Sequence, residues 1–171
     1  MPLIHHELIG RGDMPWVAAA RKYIGLSEIP GVEHSSVIVG WLKKLKSLWA
    51  DDEVPWCGTF VAACMSEAGI APAQFWYRAR DWLNWGLKID DPITGCVVVY
   101  ERKGGGHVGF AVGKDKAGNI MTLGGNQGDK VSIRPFAVSR ALGYRWPASE
   151  VVVYAPLLTL ESDGTVSTNE A

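Results

Sequence analysis

Cysteine is scarce in this sequence: Cys57, Cys64 and Cys96 are the only three in 171 residues. An odd count in so short a chain argues against a disulfide framework. The absence of any CxxC pair argues against a zinc site, and free thiols point to a reducing compartment. A surplus of either charge is also missing, with 17 basic and 18 acidic side chains and a net charge of −1. That balance, without a polybasic run, excludes nucleic acid as the main ligand and gives no sign of a membrane-surface patch. No apolar run approaches the ~20 residues that a membrane span needs, so no membrane insertion is expected. Residues 1–13 have neither the apolar core nor the cleavage site of a secretory signal, which predicts a cytoplasmic protein. The acidic run Asp51, Asp52 and Glu53 lacks the alternating spacing of a calcium loop and reads as helix capping. No metal and no cofactor are expected.

What is present fits one packed domain: 47% hydrophobic and 20% charged residues, without internal repeats. Trp56, Trp76, Trp82 and Trp85, four of the eight tryptophans, suit the wall of a substrate groove as well as they suit the core.

Helical signals fill the first half. Asp13 as N-cap and Pro15 in the first turn predict a helix over 15–23, closed by Gly25. Ser35 or Ser36 opens a second, running to about Leu48, with Lys43, Lys44 and Lys46 on its wet face. Pro55 starts a third, which Gly69 stops after Glu67. A short helix is expected over 78–85. From Cys96 the pattern changes to β-branched runs and glycine turns. Strands are predicted over 96–101, 107–112, 120–123 and 131–136, with a fifth over 142–146 or 151–154. Helices followed by antiparallel strands define an α+β fold. The expected organisation is an arm over 1–13, a hydrolase domain over 14–158 and a loose polar tail over 159–171.

Three residues stand out chemically. Cys57 falls in the first turn of the third helix, where unpaired N–H groups and the helix dipole favour a thiolate. His107 opens a strand directly after Gly104, Gly105 and Gly106, a place where backbone and ligand can approach closely. His5, His6 and His34 lack such a setting. Asn126, in the turn after the next strand, can bring an amide oxygen to the imidazole and fix its tautomer, though a turn asparagine at positive φ is an equal reading. Gln127 is the weaker choice for that role. It is placed with Trp56 and Gly106 among the residues expected to meet substrate.

The stretches DEVPWCGTFV (52–61), GGHVGF (105–110) and LGGNQGD (123–129) resemble the CHAP and NlpC/P60 superfamily, in particular a compact phage-lysin branch. IGLSEIPG (24–31) resembles the N-terminal segment of that branch, so the likeness spans roughly residues 15–146. It implies a papain-like fold, hydrolysis of peptidoglycan, Cys57 as nucleophile, His107 as base and Asn126 as third residue. Many CHAP relatives carry an acidic residue two positions before Asn126, where this chain has Gly124. The implied reaction is acyl transfer from a stem-peptide amide, by an amidase or an endopeptidase, in a monomer released to the wall by a holin, virion or secretion route. With no room for a separate wall-binding domain, a Gram-negative wall is the expected target. Two other readings stay open: a cysteine amidase on a non-wall substrate or a secreted antibacterial effector, and a vestigial virion or binding module.

Overall fold

Pro15, with its fixed φ and no N–H to lose, begins helix α1 (Pro15–Arg21). The computed structural model describes residues 12–29, 35–49 and 55–170. Met14, not Asp13, is the N-cap of α1, and no side chain caps it. Asp13 instead accepts from Arg21 Nε at 2.6 Å, tying the first turn to the last. Helix α2 (Ser36–Lys44) starts as predicted on the Ser35 hydroxyl, which accepts from the Ile38 N–H at 3.4 Å. It ends earlier than the predicted Leu48.

Helix α3 (Cys57–Glu67) has every residue from Cys57 to Met65 buried. It is the central helix, apolar around its whole circumference, packed on α1, α2 and the sheet. The acidic run before it, Pro30, Gly31, His34 and the arm up to residue 11 lie outside the described residues. A 3₁₀ turn (Ala79–Asn84) follows where a short helix was expected.

Six strands then form one sheet in the order β1-β6-β2-β3-β4-β5: β1 (Leu87–Ile89), β2 (Val97–Arg102), β3 (Gly105–Lys114), β4 (Ile120–Gly124), β5 (Ser132–Phe136) and β6 (Ala141–Trp146). Every neighbouring pair is antiparallel. The α+β arrangement expected from the sequence is therefore the observed one. Strand β1 was not anticipated: three residues are too few to carry a period. Residues 151–154 form no strand, which settles the fifth predicted strand on β6.

The core lies between α3 and the sheet. Phe60 of α3 meets Phe110 of β3 with ring centres 6.3 Å apart, and Trp16 of α1 meets Trp146 of β6 edge-on at 5.3 Å. Residues 159–170, which composition alone marks as loose, run against the sheet. Leu160 N–H donates to the Lys114 carbonyl, Ser167 N–H to Pro135 and Gly128 N–H to the Asn169 carbonyl. Glu170 is buried, ion-paired to Arg140 and bonded by the Ser167 hydroxyl. Short polar side chains hide these contacts from a hydropathy reading. Among the described residues no helix is long and apolar enough to cross a membrane.

Candidate active site

Cys57 is the first residue of α3 and His107 the third of β3. Packing α3 on β3 brings their backbones together. The N–H of Val108, next to His107, serves the Cys57 sulfur, as do the N–H groups of Gly58 and of Cys57 itself. Gly58 is required here: a Cβ at that position would lie 2.1 Å from the Trp76 carbonyl oxygen. The loop carrying Trp76 is thereby pressed against the Cys57–Gly58 turn.

Both candidate side chains are shielded, Cys57 at 6% exposure and His107 at 0%. Burial pushes the Cys57 thiol up. The N–H groups of Val108 and Gly58 and the Arg102 charge oppose that shift without cancelling it. The helix start thus does not win here against desolvation, contrary to the thiolate expectation. Burial also pushes His107 down to about 4, opposed by Gln127 and Glu170 and reinforced by Arg140 and Arg102. At neutral pH the imidazole is neutral.

The partner of His107 is Gln127, with Oε1 2.9 Å from Nε2. The amide cannot be turned over. Its NH₂ donates to the Thr122 carbonyl at 3.1 Å and the Ser132 carbonyl at 2.9 Å, leaving Oε1 for histidine. The proton is therefore on Nε2, and Nδ1 is the lone-pair nitrogen. Nδ1 is buried and makes no hydrogen bond. On its flat side the ring is stacked on Phe136, 5.2 Å away and 2° from parallel, and Phe136 stacks in turn on Tyr100.

The structure does not bring Asn126 to His107. Asn126 sits at φ 59° in the turn, buried, with its Oδ1 unpartnered. The turn-asparagine reading is the one realised, and the orienting position falls one residue later. Gly124 explains the shift. A Cβ there would lie 2.3 Å from Gln127 Oε1 and 3.2 Å from His107 Nε2. The glutamine reaches through the space that a side chain at 124 would fill.

The other expected contacts also move. Gln127 is buried and committed to His107 rather than to substrate. The Trp56 side chain is buried, packed on Trp41 and donating its indole N–H to Glu28 at 2.9 Å. Gly106 is half-buried beneath Arg80. Trp76 and Trp82 are buried and Trp85 is half-buried against the core, so tryptophan mainly fills the interior.

Phe75 and Tyr77, flanking Trp76, are exposed, with the Arg78 guanidinium 5.5 Å from each ring. Sequence reasoning passed over them, although the run QFWYRARD (74–81) carries the signal of aromatics interleaved with arginines. A cavity of about 410 Å³, lined by Met14, Val17, Gly95, Val112 and Leu160 among others, includes none of Cys57, His107 or Gln127. Among the described residues no cluster of His, Cys, Asp and Glu could hold a metal ion.

Cys57 thus stands shielded at a helix start, His107 on a strand packed against that helix, and an amide on the histidine, all on an α+β scaffold. Residues 49–126, a segment that holds both Cys57 and His107, match the family model of the CHAP domain. CHAP domains are amidases and endopeptidases of peptidoglycan. The match ends one residue before Gln127. No curated protein matches the chain.

Proposed function

We propose that the protein is a cysteine hydrolase that cuts an amide bond in the stem peptide of peptidoglycan, with Cys57 as nucleophile, His107 as base and Gln127 as the residue that orients His107. The observation that carries this reading is the Gln127–His107 bond. It leaves Nδ1 as a free acceptor on the residue whose neighbour, Val108, serves the Cys57 sulfur. A neutral imidazole beside a neutral thiol is a general-base pair, in which Nδ1 takes the thiol proton as sulfur attacks the carbonyl carbon. The oxyanion develops beside the N–H of Cys57 at the start of α3. His107 then returns the proton to the leaving amine, and water hydrolyses the thioester.

Our reading extends the hydrolase unit from residues 14–158 to 14–170, supported by the packing of the segment after 158 on the sheet and by the effect of its Glu170 on His107. A phage-type lysin acting as a monomer is the setting that the sequence resemblance favours.

Purified protein incubated with peptidoglycan, beside Cys57→Ala, tests the proposal by mass spectrometry of the released fragments. New amino termini or free lactyl groups that the variant does not produce are expected, and their structure names the bond. A folded wild type that releases nothing from several wall chemistries overturns the wall substrate.

A further inference from the structure

We propose that the pocket between the loop 74–77 and the 3₁₀ turn binds a neutral N-acetylated sugar ring, with Phe75 and Trp85 as its apolar walls and Gln74, Asp81 and Asn84 as its polar edge. This deepens the hydrolase reading and rests on it for the source of the sugar, the glycan strand that carries the stem peptide.

The pocket has a volume of about 260 Å³ and is lined by Ala73, Gln74, Phe75, Asp81, Asn84 and Trp85. Sites for drug-sized ligands span about 300–1,000 Å³, so a single ring suits this smaller space. The local backbone explains the lining. In a 3₁₀ helix residues three apart eclipse one another. Asp81 and Asn84, both in the turn Ala79–Asn84, therefore present a carboxylate and an amide on one ridge. Trp85 follows as the cap residue. Gly86, at φ 65°, then turns the chain away, at a point where a Cβ would lie 2.3 Å from the Trp146 carbonyl oxygen.

The walls are fixed before any ligand arrives. The Trp85 indole N–H donates to the Ala71 carbonyl at 2.9 Å, and its ring stands edge-on to Trp82, 5.0 Å away. Phe75 is 42% exposed, with the Arg78 guanidinium over its ring and Tyr77 edge-on at 6.3 Å. The polar edge is uncommitted. Gln74 and Asn84 are exposed, and their side chains make no hydrogen bond among the described residues. The Asp81 carboxylate stands 3.9 Å from Arg78, too far for a hydrogen bond.

Two aromatic rings beside a carboxylate and two amides complement a pyranose. Its C–H faces lie on the rings, its hydroxyls donate to the carboxylate, and an acetamido group pairs with a side-chain amide that both donates and accepts. The one charged lining residue, Asp81, is acidic, which disfavours the carboxylates of a stem peptide. The frame of the pocket also touches both elements of the candidate active site. The Trp76 carbonyl and Tyr77 backbone close on Gly58, next to Cys57. Arg80 Nε donates at 2.9 Å to the carbonyl of Gly105, two residues before His107.

The first test uses chitotetraose, an N-acetylglucosamine tetramer without a stem peptide, titrated into the full-length protein. Binding is followed by NMR on the indole N–H of Trp85, assigned with Trp85→Phe. We expect a saturable shift of that signal, weaker binding of cellotetraose, which lacks the acetamido groups, and a loss of affinity of about 3- to 10-fold in each of Phe75→Ala and Asn84→Ala. Both substituted side chains are exposed, so the variants should fold. No saturable shift, or wild-type affinity in both variants, overturns the subsite. A stem peptide that moves the Trp85 signal where chitotetraose does not overturns it in favour of a peptide groove.

The second test measures hydrolysis of soluble glycan–peptide fragments. Phe75→Ala should raise KM by about 3- to 10-fold with kcat near the wild-type value, because a remote sugar is held equally in the ground and transition states. Cys57-dependent hydrolysis with an unchanged KM in that variant overturns the subsite and leaves the hydrolase reading standing. Binding of chitotetraose without hydrolysis of any wall fragment supports the subsite and sinks the hydrolase reading.

Discussion

Gln127 and Gly124 form one device: the glutamine amide reaches His107 through the volume that a side chain at 124 would occupy. The chain thereby places the amide bonded to His107 three residues after the position where many CHAP relatives carry an acid. A neutral amide holds the tautomer without adding a negative charge behind the imidazole, as an asparagine does in papain-like sites. Removing it should free the ring to turn. Gln127→Ala is expected to lose about 100-fold or more in kcat with little change in KM. Asn126→Gly, which relieves the positive φ, should lose far less. Equal losses in the two variants would return the orienting role to Asn126.

The same geometry predicts a swap. Gly124→Ala alone puts a methyl group 2.3 Å from Gln127 Oε1. The glutamine must move, and a displacement near 1 Å at a catalytic group costs about 100-fold. Gly124→Asp combined with Gln127→Gly should recover part of the rate, because a carboxylate at 124 then has the freed space beside Nε2. A double variant as slow as the worse single one would show that the space cannot be exchanged.

Much of this architecture is legible in the sequence, and what is not has identifiable causes. The order of helices and strands follows from the change of period at Cys96, and Cys57 and His107 from their places at a helix start and after a glycine run. Asn126 and Gln127 are adjacent amides in one turn. Choosing between them needs the side-chain direction, which a residue at positive φ reverses and which no periodicity encodes. The segment after 158 reads as polar, yet Arg140 and Glu170 pair across 30 positions to hold it.

Acid should destabilise the protein through His107. Its imidazole is held near 4 in the fold against an ordinary value of 6.5. Between those values the unfolded chain binds a proton that the folded chain does not. Stability is therefore full above pH 6.5 and falls as pH drops toward 4, by up to about 3 kcal/mol from this group. Urea unfolding at pH 7, 5.5 and 4.2 should show that loss in the wild type and a smaller one in His107→Gln. Parallel losses in the two proteins would assign the acid sensitivity to other groups.

The C-terminal segment should tune the same histidine. Glu170 raises the His107 pKa and Arg140 lowers it, and the two are paired behind Phe136, on which the imidazole stacks. Glu170→Gln removes the opposing negative charge. The acid limb of kcat/KM, which reports the free-enzyme base, should move to lower pH. Gln127→Glu, which sets a carboxylate against Nε2, should move it to higher pH. The Glu170 variant should also lose about 3 kcal/mol of stability, since the Arg140 guanidinium is left without its carboxylate. An acid limb that stays in place in Glu170→Gln while stability falls would reduce the segment to a structural strap.

Alkylation should separate the three cysteines. Cys64 and Cys96 are fully buried; burial raises the Cys64 thiol well above its ordinary value and the Cys96 thiol to about 12. Cys57 is also shifted upward by burial, but three backbone N–H groups and the Arg102 charge stand against that shift. The thiolate is the form that reacts, so the native protein should take up one equivalent of iodoacetamide at Cys57 before the other two react at all. Denaturant should then expose all three. Loss of hydrolysis should track that first equivalent, and Cys64→Ala should keep both the reaction and its rate. First modification at Cys64 or Cys96 instead would mean that the site is closed to reagents of this size, and that substrate enters only after the Trp76 loop moves off Gly58.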